Sequence, residues 1–187
     1  PTPDHSPPEI ISTSLESGSY IKADLSKVSL SIFTNEIATC RWENRDIDYD
    51  AMQNSFSCST SGTQISSNGG YKCTSNLELR QAHSASVEST EGEATPGNVR
   101  NVYYFRCKDK EGNKNYQGYP FTLTSAVPLE ITKVLPEENT VFKTGNNIEL
   151  EVTTSNGAES GTAICGYSER QGANFEEMVA FVNTLSN

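Results

Sequence analysis

The sequence has few basic residues and no long apolar run. It carries 14 Lys and Arg against 24 Asp and Glu, which gives a net charge of −10. Nucleic acids and anionic membranes bind basic surfaces, so we expect neither as a partner. Because no stretch of the chain is apolar over the thickness of a bilayer, we also expect no membrane insertion by these residues. The acidity is typical of a soluble protein surface.

Motifs for catalysis and cofactor binding are also missing from the sequence. Only two histidines occur, His5 and His83, and no cysteines show the short paired spacing of a zinc site. We find no nucleophile elbow and no phosphate-binding loop. No Ser or Cys nucleophile is connected to His83 by its spacing, so we expect it in a surface loop. The sequence therefore predicts a protein that is not an enzyme and has no cofactor.

The apolar residues, although they make up only 34% of the chain, follow a strand pattern. Period-two alternation predicts strands at Ile10, over 28–32 and over 38–42. The short connection 34–36 predicts that the second and third of these strands form a hairpin. A change to three- and four-residue spacing over 48–56 predicts a short helix.

The helix would turn Tyr49, Met52 and Phe56 towards the core and begin at Asp48 as its N-cap. Further strands are expected at Leu77–Leu79, 101–107 and 119–125, with a turn at 110–113 and an exposed loop over 83–98. Several short strands with little helix predict an all-β fold, a β-sandwich.

The chain also repeats itself at a distance of about 120 residues, the size of one domain. Four segments return in the same order: 7–11 as 128–132, 28–34 as 148–154, 38–42 as 163–167 and 49–52 as 175–178. We therefore predict a linker over 1–6 and a complete domain over 7–126. Residues 127–187 would be the first half of a second domain, with three strands and a helix.

The repeat narrows the pairing of the cysteines. Cys40 recurs as Cys165, whereas residues 183 and 184 stand where Cys58 would recur. A copy can thus keep Cys40 without Cys58, so these two are not expected to be partners. Cys73 and Cys107 remain as candidate partners of Cys40.

The segment 59–72 is rich in Ser, Gly and Thr and can close on itself, which favours Cys58–Cys73 and leaves Cys40–Cys107. Such loops stabilise a fold by roughly 3 kcal/mol or more in the chain-entropy model. Cys165 would have no partner in this chain. Four cysteines in the complete copy indicate disulfides and an oxidising compartment.

Three motifs together resemble a known repeat. They are Cys40-Arg41-Trp42, the helix with Tyr49, Met52 and Phe56, and the hairpin of Tyr103 to Asp109 followed by Gly112-Asn113. They are similar to immunoglobulin-like or fibronectin type III-like modules that occur in tandem in large surface and secreted proteins of bacteria and archaea. The resemblance covers nearly the whole chain. It implies an extracellular or cell-surface location and a regular Cys40–Cys107 pair, with Cys58–Cys73 as an added bridge.

Some residues have a functional and a structural interpretation. Asp46, Asp48 and Asp50 alternate as oxygen ligands of Ca²⁺ would, but no Gly and Glu follow at EF-hand positions, so a solvated acidic loop is favoured. Trp42 could stack on a sugar, although burial against a disulfide is favoured. For Tyr104 and Tyr119 we also expect packing rather than an exposed aromatic face.

These observations predict a non-catalytic structural or adhesive module of a multi-domain cell-surface protein. Its partners would be other copies of itself or adjacent surface-protein domains. One alternative is a subunit of an extracellular filament or pilus-like polymer, in which a neighbouring chain completes the second domain. The three strands of that half domain and a helix over 174–185 would otherwise expose an apolar face. A second alternative is a carbohydrate-binding accessory domain. The apolar residues of that helix are Phe175, Met178, Val179, Phe181 and Val182.

Overall fold

The computed structural model describes residues 5–61, 65–67, 69–81, 97–145, 147–158 and 162–181. These residues fall into two units, each described by itself below. One takes in the described part of Pro1–Ala82 together with Val99–Ser125, and the other the described part of His83–Asn98 and Ala126–Asn187. His83, Val182 and most of the loop predicted over 83–98 lie outside the described residues.

The first unit is built from short antiparallel strands with alternating burial. They are β1 (Ile10–Thr13), β2 (Ser19–Lys22), β3 (Lys27–Thr34), β4 (Thr39–Glu43), β5 (Asn54–Ser55), β6 (Ser57–Cys58), β7 (Tyr71–Glu78), β8 (Val99–Lys108) and β9 (Tyr119–Ala126). They form a four-stranded sheet in the order β1-β3-β7-β6 and a five-stranded sheet in the order β2-β9-β8-β4-β5. The fold is an all-β sandwich, as the alternation predicts.

One hydrophobic core lies between the two sheets of the first unit. Leu30, Ile32 and Leu77 come from the four-stranded sheet, and each is fully buried. Tyr103 and Phe105 come from β8, which contains the strand predicted over 101–107, and they are fully buried as well. These residues belong to one contiguous apolar cluster, and the alternate residues of each strand face away from it.

Trp42 lies in this core rather than at the surface. Its side chain is 4% exposed, and its indole N–H donates to Oγ of Ser75 on the opposite sheet at 3.0 Å. Its ring packs edge-on against Tyr103, with centroids 5.6 Å apart. The predicted burial is confirmed, and a sugar could not stack on this ring.

The predicted hairpin through 34–36 is wrong. β3 pairs with β1 and β7, and β4 pairs with β5 and β8, so the chain crosses from one sheet to the other between them. The edges of β3 are already occupied by strands that come from before and after it in sequence. Alternation places a strand but does not identify its neighbours.

The predicted helix over 48–56 is wrong in type and length. A single 3₁₀ turn spans Tyr49–Ala51, Met52 has extended backbone angles, and β5 follows. Asp48 is at the N-cap position but makes no capping hydrogen bond with its side chain. Nη1 of Arg41 instead donates to the carbonyl oxygens of Tyr49 and Met52 at 3.4 and 3.3 Å. These contacts end the turn after three residues, so Met52 and Phe56 are buried from extended backbone.

The second unit contains two small antiparallel sheets. They consist of β10 (Leu129–Leu135) paired with β11 (Glu151–Asn156), and of β12 (Gly166–Tyr167) paired with β13 (Val179–Ala180). Gly157 follows β11 at φ +72°, where a Cβ would lie 3.0 Å from Leu129. Among the described residues, no helix has the length and hydrophobicity that crossing a bilayer requires.

The helix predicted over 174–185 is also wrong for the described residues up to 181. A 3₁₀ turn spans Phe175–Glu177, and Val179 then enters β13. Because a strand alternates between its faces, the apolar residues of this segment do not form one helical side. Phe175 and Val179 are 54% and 56% exposed.

Candidate functional sites

The three aspartates of the candidate calcium loop pair with basic side chains. Oδ1 of Asp46 accepts from Nη2 and Nε of Arg106 at 2.7 and 3.2 Å, and from the Gly118 N–H at 3.1 Å. A Cβ at position 118 would lie 2.5 Å from that oxygen and 3.0 Å from Cβ of Tyr104, so a larger residue there would displace the Asp46 carboxylate. Nη1 of Arg106 also lies 3.7 Å from Asp48.

Asp50 has a different partner. Nζ of Lys114 donates to its carboxylate. This hydrogen bond, with the charges of Lys114, Lys108 and Arg41, lowers the pKa of Asp50 below its usual value. The same hydrogen bond raises the pKa of Lys114. Two basic residues from the β8–β9 region thus neutralise the three alternating aspartates of this loop.

The aspartates do not converge on a single point. In the described part of the chain, only Cys40, Cys58 and Cys73 form a group of three potential ligand atoms within 4.8 Å of one another. A calcium ion would have to displace Arg106 and Lys114 before it could gather these carboxylates. The geometry thus favours the acidic-loop interpretation over the metal site. Sequence reasoning missed Arg106 and Lys114 because each lies about sixty residues from its partner.

Both predicted disulfides are present. Cys40 on β4 is bonded to Cys107 on β8, and Cys58 on β6 is bonded to Cys73 on β7. In each case the two cysteines lie directly opposite each other on neighbouring strands of one sheet. Cys165, which was predicted to have no partner in this chain, is a free cysteine, and it is half-buried. Two disulfides indicate an oxidising compartment.

A short connection after β8 carries the Asp109, Gly112 and Asn113 motif. Oδ1 of Asp109 accepts from the backbone N–H of Asn113 at 2.8 Å, and Oδ2 from its side-chain amide at 2.6 Å. Gly112 has φ +94°, a conformation that side chains disfavour. Burial acts to raise the pKa of Asp109, but the hydrogen bonds from Asn113, Gly112 and Glu111 outweigh it and lower that pKa. The motif is therefore a structural cap for the turn.

An open cleft of about 540 Å³ lies beside this turn, lined by residues 7–10, Asn115 and residues 117–120. Tyr119 lies on its edge, 38% exposed, and stacks on Phe105 with ring centroids 6.2 Å apart. Tyr104 is half-buried. These contacts agree with packing for both tyrosines. Tyr116 is 90% exposed and is the more available aromatic ring, which the sequence did not single out.

The segment 165–181 of the second unit has the same backbone pattern as 40–56 of the first. Tyr167 pairs with Val179 as Trp42 pairs with Asn54. The Phe181 N–H donates to the Cys165 carbonyl at 3.0 Å, as the Phe56 N–H donates to the Cys40 carbonyl at 2.9 Å. A 3₁₀ turn precedes the returning strand in both. Comparisons with known proteins add nothing to this internal match, because no protein-family model and no curated protein matches the chain.

Proposed function

We propose that this chain is a non-catalytic structural or adhesive module of an extracellular or cell-surface protein, built on an immunoglobulin-like sandwich. The observation that carries the proposal is the strand order of the first unit. If β1, β3, β4, β6, β7, β8 and β9 are labelled A, B, C, D, E, F and G, the four-stranded sheet becomes A-B-E-D. The five-stranded sheet becomes G-F-C, with β2 added at the G edge and β5 at the C edge. This is the division of strands found in immunoglobulin domains.

Two further features support the immunoglobulin-like assignment, and one departs from it. Trp42 lies on the third strand of the series, where immunoglobulin domains carry a buried Trp. β5 extends the G-F-C sheet in the manner of variable-type domains. However, Cys40–Cys107 joins the C and F strands within one sheet, whereas the usual disulfide joins B and F across the sandwich.

The extracellular part of the proposal is supported by the disulfides. Thiols are kept reduced in the cytosol, and two bridges in a small sandwich are typical of secreted and surface proteins. The non-catalytic part is supported by the first unit's acidic and basic groups, because Arg106, Asp46, Lys114 and Asp50 neutralise one another.

Surface labelling of intact cells that produce the parent polypeptide tests this function. The Lys110 side chain is 85% exposed, so a membrane-impermeant biotin ester should label it before lysis. A cytosolic protein of the same cells serves as the control for leakage. Labelling that occurs only after lysis would contradict the extracellular assignment.

A second candidate function is a polymer subunit in which a neighbouring chain completes the second unit. In the first unit one edge of β4 is closed by β5, and the other by β8 with Cys107 opposite Cys40. In the second unit β13 closes one edge of β12, and within the described residues β12 has no second strand. The unpaired edge and the free Cys165 thiol together favour an added strand that carries a cysteine.

The exposure of the aromatic residues supports the same idea. Trp42 and Tyr49 of the first unit are 4% and 3% exposed, whereas their counterparts Tyr167 and Phe175 are 44% and 54% exposed. β8 contributes Tyr103 and Phe105 to the face that buries Trp42. A strand with alternating aromatic residues and a cysteine would bury Tyr167 in the same way.

A peptide with the sequence of residues 99–110, whose cysteine is Cys107, probes this edge. The cysteine of the peptide is first activated as a 2-pyridyl disulfide, so that the Cys165 thiolate forms the mixed disulfide and displaces pyridine-2-thione. We expect this reaction to be about ten times faster than that of an equally activated scrambled peptide that retains one cysteine. Equal rates for the two peptides would contradict strand addition. In the native polymer, mass mapping should show Cys165 bonded to another chain; a bond to a cysteine of the same polypeptide would exclude the neighbouring chain.

A further inference from the structure

The two disulfides of the first unit meet in the core although they belong to different sheets. Sγ of Cys73, on β7, lies 3.8 Å from Sγ of Cys40, on β4. The sulfur atoms of Cys40, Cys58 and Cys73 all lie within 4.8 Å of one another. Exchange between disulfides requires a thiolate in contact with a disulfide sulfur, and this arrangement supplies that contact.

The two bridges differ in their access to solvent. Cys58 is half-buried, whereas Cys40 and Cys73 are 1% exposed and Cys107 is 0% exposed. A dissolved thiol therefore reaches Cys58 before any other bridged sulfur atom. The route from solvent to Cys40–Cys107 passes through Cys58–Cys73.

We propose that Cys58 is a modification site for small thiols such as glutathione and the entry point of a disulfide relay. The external thiolate attacks Sγ of Cys58, which forms a mixed disulfide there and breaks the Cys58–Cys73 bond. Cys73 leaves as a thiolate next to Cys40. It attacks Sγ of Cys40, forms a Cys40–Cys73 bond and displaces Cys107, which takes up a proton.

The sequence of steps needs no oxidant or further reductant. Two disulfides are present before the exchange, and two are present after it, one of them mixed. The product differs in topology. Each original bridge joins two strands of its own sheet, whereas Cys40–Cys73 would join the two sheets. The exchange thus converts a sandwich whose sheets are held by packing into one with a covalent link between them. This inference does not depend on the proposed function.

Two matched variants test the relay, both in a Cys165→Ser background that removes the free thiol. Cys58→Ser leaves the Cys73 thiol 3.8 Å from Sγ of Cys40. Cys73→Ser leaves the half-buried Cys58 thiol, which lies within 4.8 Å of the same sulfur atom. Each protein is incubated at about pH 8, quenched with acid, alkylated under denaturing conditions and mapped without reduction. We expect mostly Cys40–Cys73 with alkylated Cys107 in Cys58→Ser, and intact Cys40–Cys107 with alkylated Cys58 in Cys73→Ser. Intact Cys40–Cys107 in both variants would overturn the proposal.

A second measurement avoids the loss of a native bridge. The Cys165→Ser protein is exposed to a limited amount of glutathione and mapped in the same way. We expect glutathione on Cys58 together with a Cys40–Cys73 link. Two outcomes would overturn the proposal. One is attachment of glutathione to another cysteine first, and the other is glutathione on Cys58 with Cys40–Cys107 intact and Cys73 alkylated.

Discussion

The guanidinium group of Arg106 donates two hydrogen bonds to one carboxylate oxygen of Asp46, from Nη2 at 2.7 Å and from Nε at 3.2 Å. The Arg106 side chain is 10% exposed, although it lies on the outer face of the five-stranded sheet. This ion pair joins β8 to the loop that follows β4. It also occupies the carboxylate of Asp46, the first of the three aspartates in the candidate calcium loop.

Replacement of Arg106 by Met should destabilise the first unit by about 1–2 kcal/mol, because the charge-assisted hydrogen bonds of a buried guanidinium to Asp46, which is 39% exposed, are lost. Urea unfolding monitored by Trp42 fluorescence measures this change. Lys27→Met is the matched control, since the Lys27–Glu78 pair is 60% and 73% exposed and should contribute less than about 1 kcal/mol. Equal effects of the two changes would argue against a structural role for the Arg106–Asp46 pair.

Chelation of divalent metals should leave the melting temperature unchanged. Asp46 and Asp50 are held by Arg106 and Lys114, and a bound calcium ion would have to displace both. A site present at a hundredfold excess of calcium over Kd would add about 2.7 kcal/mol of stability, which a melting curve resolves. A clear fall in melting temperature on addition of EDTA, reversed by calcium, would revive the metal site.

The hydroxyl of Tyr103 should make the protein sensitive to alkali. It donates to the Glu78 carbonyl at 2.5 Å, and burial raises the pKa of Tyr103 to about 12. Since the native state keeps the phenol neutral, its contribution is complete below pH 10 and is lost as the pH rises from 10 to about 12.

Tyr103→Phe should therefore flatten the stability curve in this window, while it lowers stability at neutral pH by about 1 kcal/mol through the lost hydrogen bond. Urea midpoints measured from pH 8 to pH 12 test both effects. Tyr116→Phe is the control, because that ring is 90% exposed. A curve for Tyr103→Phe parallel to that of the unmodified protein would contradict the assignment.

Asp109 should have the opposite pH dependence. Its lowered pKa means that its contribution is present above the usual value of 3.8 and is lost as the pH falls below it. Asp109→Asn should be less stable than the unmodified protein at pH 7, and the difference should shrink in acid. Glu111→Gln, in the same turn, controls for the loss of one charge. A constant difference down to about pH 2 would show that the carboxylate does not act as the cap.

The Cys40–Cys107 bridge should limit the length by which the first unit extends under mechanical force. The two cysteines are 67 residues apart, and the smaller Cys58–Cys73 loop lies within that stretch. Pulling on the oxidised chain cannot extend the segment between Cys40 and Cys107. Reduction of both bridges should therefore lengthen the unfolding step by roughly 220–240 Å. Single-molecule pulling with and without a reductant measures the change. An unchanged step would mean that the bridge is not formed in the protein under load.

Local patterns carried the sequence predictions that are confirmed. The alternation over 101–107 places β8 and the buried faces of Tyr103 and Phe105, since a strand has a period of two residues whatever its neighbours are. The internal repeat separated Cys40 from Cys58, and the Ser-, Gly- and Thr-rich segment 59–72 then favoured Cys58–Cys73; both predicted disulfides are present. The same spacing rules failed at Tyr49–Ala51 and Phe175–Glu177. There, one turn of apolar residues resembles a helix, but a strand follows.

The sequence by itself determined the all-β class and the positions of the longer strands, because each depends on local periodicity. The pairing of the cysteines was predicted from comparison of the chain with itself together with the composition of the segment 59–72. Only the tertiary structure decided that β3 and β4 belong to different sheets and that Arg106 neutralises Asp46. It also decided that Cys73 lies against Cys40. These relationships join residues tens of positions apart. They arise from the pairing of distant strands and from the packing of two sheets face to face, which no local pattern records.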